Sequence, residues 1–355
     1  MCLYCFALYA YVFRLLASIN RMTYLIVRPL SIGSLLMVAF VVLAPSLMSQ
    51  VPSLATPNPA SQYTYHASVA EVGITFHASD AHGLPINDLK HDEMTVFDNG
   101  VPQTMILSFE VYQDHAIRAG IIFDTSKSME NSLVQNKAIA RQFAQRILRQ
   151  QSDQAFVEEF GYSAKVTRPW SGDPVKLAAS IKNVAAGKEN PLGGTALFDT
   201  IFQTCYSDFS KVGNASGKFI LLFTDGEDNA SHTDLKDAVD MCQQSNTVIY
   251  AFRPEASMGF SDGPRTLADL TTKTGGRVFH ADGSEAEIYK DLDIIEGGLR
   301  NQYFLGYRPS ALKHDGSFHH IELRGPERVD RIDVRSGYYD RKISPMELQQ
   351  NGFVL

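Results

Sequence analysis

Apolar and polar positions follow two different rhythms along this chain. From Tyr63 the period is two: Ala70, Val72, Ile74 and Phe76 alternate with Glu71, Gly73, Thr75 and His77, as in a strand with one apolar face. Ala81-His82-Gly83-Leu84-Pro85 marks a turn. Met94-Thr95-Val96-Phe97 then runs into Asp98-Asn99-Gly100, a hairpin signal, with a partner strand at 104–109. From Ile117 the rhythm changes. Ala119-Gly120-Ile121-Ile122-Phe123 and Phe219-Ile220-Leu221-Leu222-Phe223 are unbroken apolar runs, as in strands covered on both faces. Between and after them, helical periodicity predicts helices over 133–150, 174–184, 196–209, 235–244, 266–274 and 285–299. Further strands are expected at 155–166, 247–252 and 277–280. Strand signals with period two return at 303–307, 319–323 and 329–334.

Strands alternating with helices of this length imply a mainly parallel sheet with helices on both faces. The expected fold class is therefore α/β, a doubly wound domain over 116–302. The strands at 63–115 and 303–342 are each too few to fold alone and are expected to complete one small β-sandwich-like domain, with the α/β part inserted in it or flanked by it. A Pro-rich linker over 50–62 precedes the strands, and 343–355 is a C-terminal tail.

The first 49 residues fit neither rhythm. They contain Arg14, Arg21 and Arg28 and no other charged residue, with an apolar run from Leu35 to Ala44 and small residues after it. That layout is a secretory signal peptide. The run is short for a membrane span of about 20 residues, so contact with a membrane is expected only if this segment stays uncleaved as an anchor. Met22 offers an alternative start with a cleaner signal. The body is thus expected outside the cytoplasm, secreted or periplasmic. Cys2 and Cys5 fall in this leader; Cys205 and Cys242 could pair in an exported protein or stay as buried thiols, and spacing alone leaves both open. Composition removes other classes. Hydrophobic residues at 45% and charged residues at 20% are those of a globular chain. A net charge of −7 argues against a broad phosphate-binding surface, and hence against nucleic acid as a partner.

The candidate chemistry sits where doubly wound sheets place ligands, at the carboxyl ends of strands. The first apolar strand ends in Asp124-Thr125-Ser126-Lys127-Ser128, a carboxylate and two hydroxyls at alternate positions. The second ends in Thr224-Asp225-Gly226-Glu227-Asp228, and Gly193-Gly194-Thr195 presents a hydroxyl just before a helix. Three loops thus bring hard oxygen donors and no soft ligand to one sheet edge, a set suited to Mg²⁺ or Mn²⁺. Glu227, Asp228 and Asp234 read as a solvated loop and a helix start, and His232 and His280 lack metal-ligand spacing.

With those motifs the chain resembles the von Willebrand factor type A domain. Asp124-Thr125-Ser126-Lys127-Ser128 matches that family's DxSxS, Thr195 its threonine and Asp225 its aspartate, the elements of a metal-ion-dependent adhesion site. The flanking strands and the Gly-Tyr-Tyr at 337–339 further resemble the von Willebrand factor A-related acidobacterial domain group of bacterial secreted proteins. The resemblance implies that Ser126 and Ser128 bind the metal directly, Thr195 directly or through water, and Asp124 and Asp225 through held waters. It implies a partner protein offering an Asp or Glu carboxylate to the metal, and binding rather than catalysis. Two other readings compete. One is a structural envelope protein with a vestigial site. The other is a metal-dependent hydrolase or phosphotransferase, disfavoured because no His-Glu-x-x-His, Gly-x-Ser-x-Gly or phosphate-cradling loop occurs.

Overall fold

The structure, a computed structural model, describes residues 71–186, 193–213, 216–255 and 262–340. The expected signal peptide, the linker and the tail at 343–355 lie outside these residues. Four strands come first: β1 (Val72–Ser79), β2 (Thr95–Asp98), β3 (Val101–Gln103) and β4 (Ile106–Tyr112). An α/β segment follows, made of β5 (Ala116–Asp124), α1 (Leu133–Gln142), β6 (Gln154–Phe160), β7 (Ala164–Ser171), α2 (Pro174–Asn183), α3 (Leu197–Thr204) and β8 (Ser216–Phe223). It continues through α4 (Leu235–Gln244), β9 (Thr247–Arg253), α5 (Gly263–Thr274), β10 (Val278–His280) and α6 (Glu285–Arg300). The chain then returns to strands, β11 (Gln302–Tyr307), β12 (Phe318–Arg324), β13 (Arg331–Val334) and β14 (Gly337–Tyr339).

The α/β segment builds one six-stranded sheet in the order β10-β9-β8-β5-β6-β7. Five of these strands are parallel, and β7 runs antiparallel beside β6 at the edge. The unbroken apolar runs occupy its centre because a middle strand must bury both faces. Ile121, Phe123, Leu221 and Phe223 face one core, closed by α1, α2 and α6; Ile122, Ile220 and Leu222 face a second, closed by α3, α4 and α5. Chain order places β5 first, with β6 on one side of it and β8 on the other. The carboxyl ends of β5 and β8 therefore flank the point where the winding reverses, which leaves a crevice there.

The remaining strands form two four-stranded sheets, β13-β1-β11-β4 and β14-β12-β2-β3. Each mixes strands from both ends of the chain: β1 pairs with β11 and β13, and β12 pairs with β2. Between the sheets Ile74, Phe76, Val96, Tyr303, Leu305 and Tyr307 make a third core. The fold is thus the expected doubly wound α/β sheet inserted in a small β-sandwich. Only Asn301 separates α6 from β11. At that joint Arg300, 4% exposed, bonds the buried Asp153 at 2.8 Å and also the carbonyls of His115 and Ile147. The sandwich is fastened to α4 as well, where Lys236 Nζ donates to the Gly316 carbonyl (3.0 Å) and Gln243 Nε2 to that of Gly337 (2.9 Å).

Three details differ from the sequence reading and one open question is settled. The hairpin partner of β2 is β3, and the strand expected at 104–109 is instead β4, which pairs with β11 in the other sheet. The single strand expected at 155–166 is two, β6 and β7, joined by a turn at Gly161-Tyr162-Ser163. The turn carries no Pro or Asn-Gly signal, and β7, an edge strand, exposes Lys165 and Val166 and so lacks the apolar face that would mark it. The helix expected over 133–150 ends as a wider π turn over Phe143–Ile147, which keeps Phe143, Ala144 and Ile147 buried. Past it the Asp153 carboxylate takes the backbone N–H of Arg149, in place of a further helical bond, and also that of Ile117 on β5 (both 2.8 Å). The open question of the cysteines is resolved: Cys205 and Cys242 form a disulfide that ties the end of α3 to α4 inside the second core.

Candidate metal centre

Asp124 is the last residue of β5, directly after the fully buried Ile121, Ile122 and Phe123, and is itself 1% exposed. Its two oxygens are shared between two loops. Oδ1 accepts the N–H of Ser126 (2.8 Å), which tightens the turn after β5, and Oδ2 accepts the hydroxyl of Thr224 (2.6 Å) at the end of β8. Burial pushes the Asp124 carboxyl up to about 6, the nearby charge of Asp225 pushes the same way, and the bonds from Thr224 and Ser126 oppose them. Ser126 and Ser128 lie side by side, Oγ to Oγ 3.0 Å, at the start of a short 3-10 turn over Lys127–Met129. The buried Met129 pins that turn and leaves Ser128 exposed.

The third loop leaves β8 through Thr224-Asp225-Gly226. Asp225 is half-buried and its Oδ1 accepts the N–H of Glu227 at 3.1 Å. Gly226 has a left-handed φ of 88°, and a Cβ there would stand 2.4 Å from the Gly263 carbonyl, so only glycine lets the start of α5 pack beneath Asp225. Thr195, 6% exposed, is held by backbone: its N–H donates to Asn229 Oδ1 (2.7 Å), and its carbonyl accepts from Asn229 and Ala230 (3.0 and 3.1 Å). Thr195 is therefore joined to the Asp225 loop, and its bonds run there rather than to the serine pair. Asp124, Ser126 and Ser128 are joined by direct bonds, and Asp225 reaches them through its charge on Asp124.

The acidic neighbours have structural duties. Asp228 accepts the Phe198 N–H at the start of α3 (3.0 Å), Glu227 that of Gly263 (3.2 Å), and Asp234 caps α4 through Asp237 N–H (2.8 Å). His232 pairs with Asp199 at the surface. Sequence reasoning passed over Thr224 and Asn229, which position Asp124 and Thr195. The hydroxyl directly after an apolar run at Thr224 was a readable signal; the Asn229 contact crosses 34 residues and had none. Among the described residues no three His, Cys, Asp or Glu side chains gather into a metal-holding cluster. The five residues here offer two carboxylates and three hydroxyls instead. That donor set fits a hard divalent cation, and two carboxylates brought together in a poorly solvated crevice call for positive charge.

A doubly wound sheet with hydroxyl and carboxylate loops at its switch point defines the class of A-type domains. Residues 120–291 match the family model of the von Willebrand factor type A domain. The match is to the general domain and does not single out the narrower acidobacterial group. Among solved structures the chain is similar to the conserved hypothetical protein BatB from Bacteroides thetaiotaomicron, at 15% identity over 50% of this chain and 97% of that one, TM-score 0.42. It is also similar to an aerotolerance-related membrane protein from Bacteroides fragilis, at 16% identity over 50% of this chain and 98% of that one, TM-score 0.40. Proximal thread matrix protein 1 from the mussel byssus, in a form with a zinc-occupied MIDAS motif, is 17% identical over 57% of this chain and 49% of its own, TM-score 0.42. None of these likenesses bears on what this chain binds. No curated protein matches the chain significantly.

Proposed function

We propose that the chain is an extracytoplasmic, divalent-metal-dependent binding module that captures a partner protein through an Asp or Glu carboxylate. The observation that carries this reading is Asp124: a buried carboxylate whose two oxygens hold together the loops after β5 and β8, beside a hydroxyl pair and a second acid. Ser126 and Ser128 would hold Mg²⁺ or Mn²⁺ through their hydroxyls, Thr195 directly or through water, and Asp124 and Asp225 through waters they orient. A bound ion would supply an electrophilic position open to one oxygen from outside. Because few carboxylates would touch it directly, little of its charge is neutralised, which favours an anionic guest. The protein's own groups order the waters and keep the serine turn rigid. No proton transfer or bond cleavage is needed, so the activity is binding.

The buried disulfide supports the location, since such bonds persist in oxidising compartments outside the cytosol. No helix among the described residues is long and apolar enough to cross a membrane; any membrane contact would be made by the N-terminal segment. The test is calorimetric titration of the full chain with Mg²⁺ and Mn²⁺. Heat of binding is expected for the native protein and a loss of at least 100-fold in affinity for Asp124→Ala, with an unchanged circular dichroism spectrum. A native protein that binds neither ion leaves the structural reading in place. Turnover of phosphate or ester substrates with Mg²⁺ present moves the assignment to a hydrolase.

A further inference from the structure

An exposed aromatic ring stands at the rim of the candidate metal centre and is not among its donors. Tyr162, 38% exposed, occupies the turn between β6 and β7. That turn is bolted to two of the three loops. Thr125 donates both its N–H (2.8 Å) and its hydroxyl (2.7 Å) to the Phe160 carbonyl, and Ala196 N–H donates to the Gly161 carbonyl at 2.8 Å. The residues so fixed are the immediate neighbours of Asp124 and Thr195. The ring lies near Gly194: a Cβ placed there would meet Tyr162 Cδ2 at 3.9 Å, and Ala230 Cβ and Asn229 Oδ1 at 2.9 and 3.0 Å. Gly194 also has a left-handed φ of 94°, so no larger residue fits there, and a Cβ on Gly193 would meet nothing within 4 Å.

We propose that Tyr162 determines which partner segments the module accepts: those in which the captured Asp or Glu adjoins an aromatic or large apolar side chain. This rests on the metal-dependent reading above and adds the chemistry of the flanking residue. The ring thus stands next to the residue before Thr195, on the same sheet edge as the five donors, where a residue adjoining a bound carboxylate would pass. The turn that carries it is already fixed by three hydrogen bonds, so the ring is presented with little ordering left to do on binding. A half-exposed tyrosine, with an apolar ring and a polar hydroxyl, is among the side chains enriched as anchors of protein contacts.

The experiment uses the full chain loaded with Mg²⁺ and three amidated peptides displayed densely on beads, so that weak contacts sum. The peptides are Gly-Gly-Asp-Phe-Gly, Gly-Gly-Asp-Gly-Gly and Gly-Gly-Asn-Phe-Gly. Retention of the Phe peptide about fivefold above the Gly peptide is expected, the worth of one aromatic pair. Tyr162→Ala should erase that ratio and Tyr162→Phe should keep it, both with unchanged Mg²⁺ titration. An equal ratio in the native chain and Tyr162→Ala overturns the assignment of Tyr162 alone. Retention of the Asn peptide equal to its Asp counterpart, retention unaffected by EDTA, or no retention of any peptide overturns the carboxylate-capture reading and this inference with it.

Discussion

Two regions of the molecule bury carboxylates, and they treat them oppositely. In the sandwich, Asp98 is 5% exposed and accepts three side-chain donors: the hydroxyls of Tyr307 and Tyr338 (both 2.8 Å) and His319 Nδ1 (2.7 Å). Asp340, 3% exposed, accepts the N–H groups of Lys313 and His314 (both 2.7 Å) and lies 3.1 Å from the His314 ring. Both of these buried acids are answered from within the sandwich, by hydroxyls, backbone N–H groups and imidazole rings. At the end of the α/β sheet, Asp124 is answered only by Thr224 and by the amide and hydroxyl of Ser126, and it faces a second carboxylate. A closed network of this kind holds strands together; an open one, strung between the loops after β5 and β8, has capacity for a ligand. The number of buried acids does not separate the two regions. What separates them is whether the groups that answer the acid are all part of the chain.

The largest effect on stability should therefore come from the closed network. His319→Leu removes the imidazole from between Asp98 (2.7 Å) and Asp340 (3.8 Å). Leaving the two buried acids without it should cost ~3–5 kcal/mol in urea unfolding, with Mg²⁺ affinity unchanged in whatever fraction stays folded. Asp124→Asn should show the reverse pattern, with metal binding lost and stability in EDTA equal or raised. Equal destabilisation by the two changes would break the comparison, because the carboxyl-end acid would then be as structural as the sandwich acid.

The disulfide offers a sharper probe of the open network. Cys205 terminates the helix that starts two residues after Thr195, and Cys242 lies in the helix that starts ten residues after Asp225. The bond thus fixes the two helices whose leading loops carry those donors. A Cys205→Ser, Cys242→Ser pair should lower stability by ~2–4 kcal/mol and weaken Mg²⁺ binding severalfold by loosening the spacing between Thr195 and Asp225. Native Mg²⁺ affinity in the destabilised variant would show that the loops alone hold the site.

The contrast was partly legible in the sequence. Unbroken apolar runs such as Ile220-Leu221-Leu222 identified the central strands, because burial on both faces leaves no polar position to misplace them. Asp124, Ser126 and Ser128 were visible because their chemistry is packed into five residues at a strand end. Thr195 and Asp225 became candidates by position after their own elements and by resemblance, and the structure joins them through Asn229, a contact no local pattern encodes. The sandwich network was invisible for the same reason: Asp98 and His319 lie 221 residues apart. Strand β7 was missed because an exposed edge strand has no hydrophobic alternation to read.

The smallest expected effect tests whether burial alone, without a site, explains a raised carboxyl. Glu158 lies on β6, 5% exposed, with Oε2 accepting the Thr204 hydroxyl at 2.8 Å. Burial pushes its carboxyl up to about 7, opposed by that bond and aided by the charge of Asp208. A carboxyl raised on folding favours the native state most below its unfolded value, and that advantage is lost as pH rises through the folded value. Stability should therefore fall between about pH 4.5 and 7 and then level off as far as Glu158 controls it. Glu158→Gln keeps an acceptor for Thr204 without the charge. Measured against the native chain in EDTA, so that the titration of Asp124 is common to both, the variant should be nearly neutral at pH 4.5 and more stable by ~1–3 kcal/mol at pH 8. Its Mg²⁺ titration should be unchanged, because Glu158 answers to no second loop. If instead Glu158→Gln weakened metal binding, the open network would extend along the sheet beyond its carboxyl end, and the line drawn between structural and ligand-ready acids would have to move.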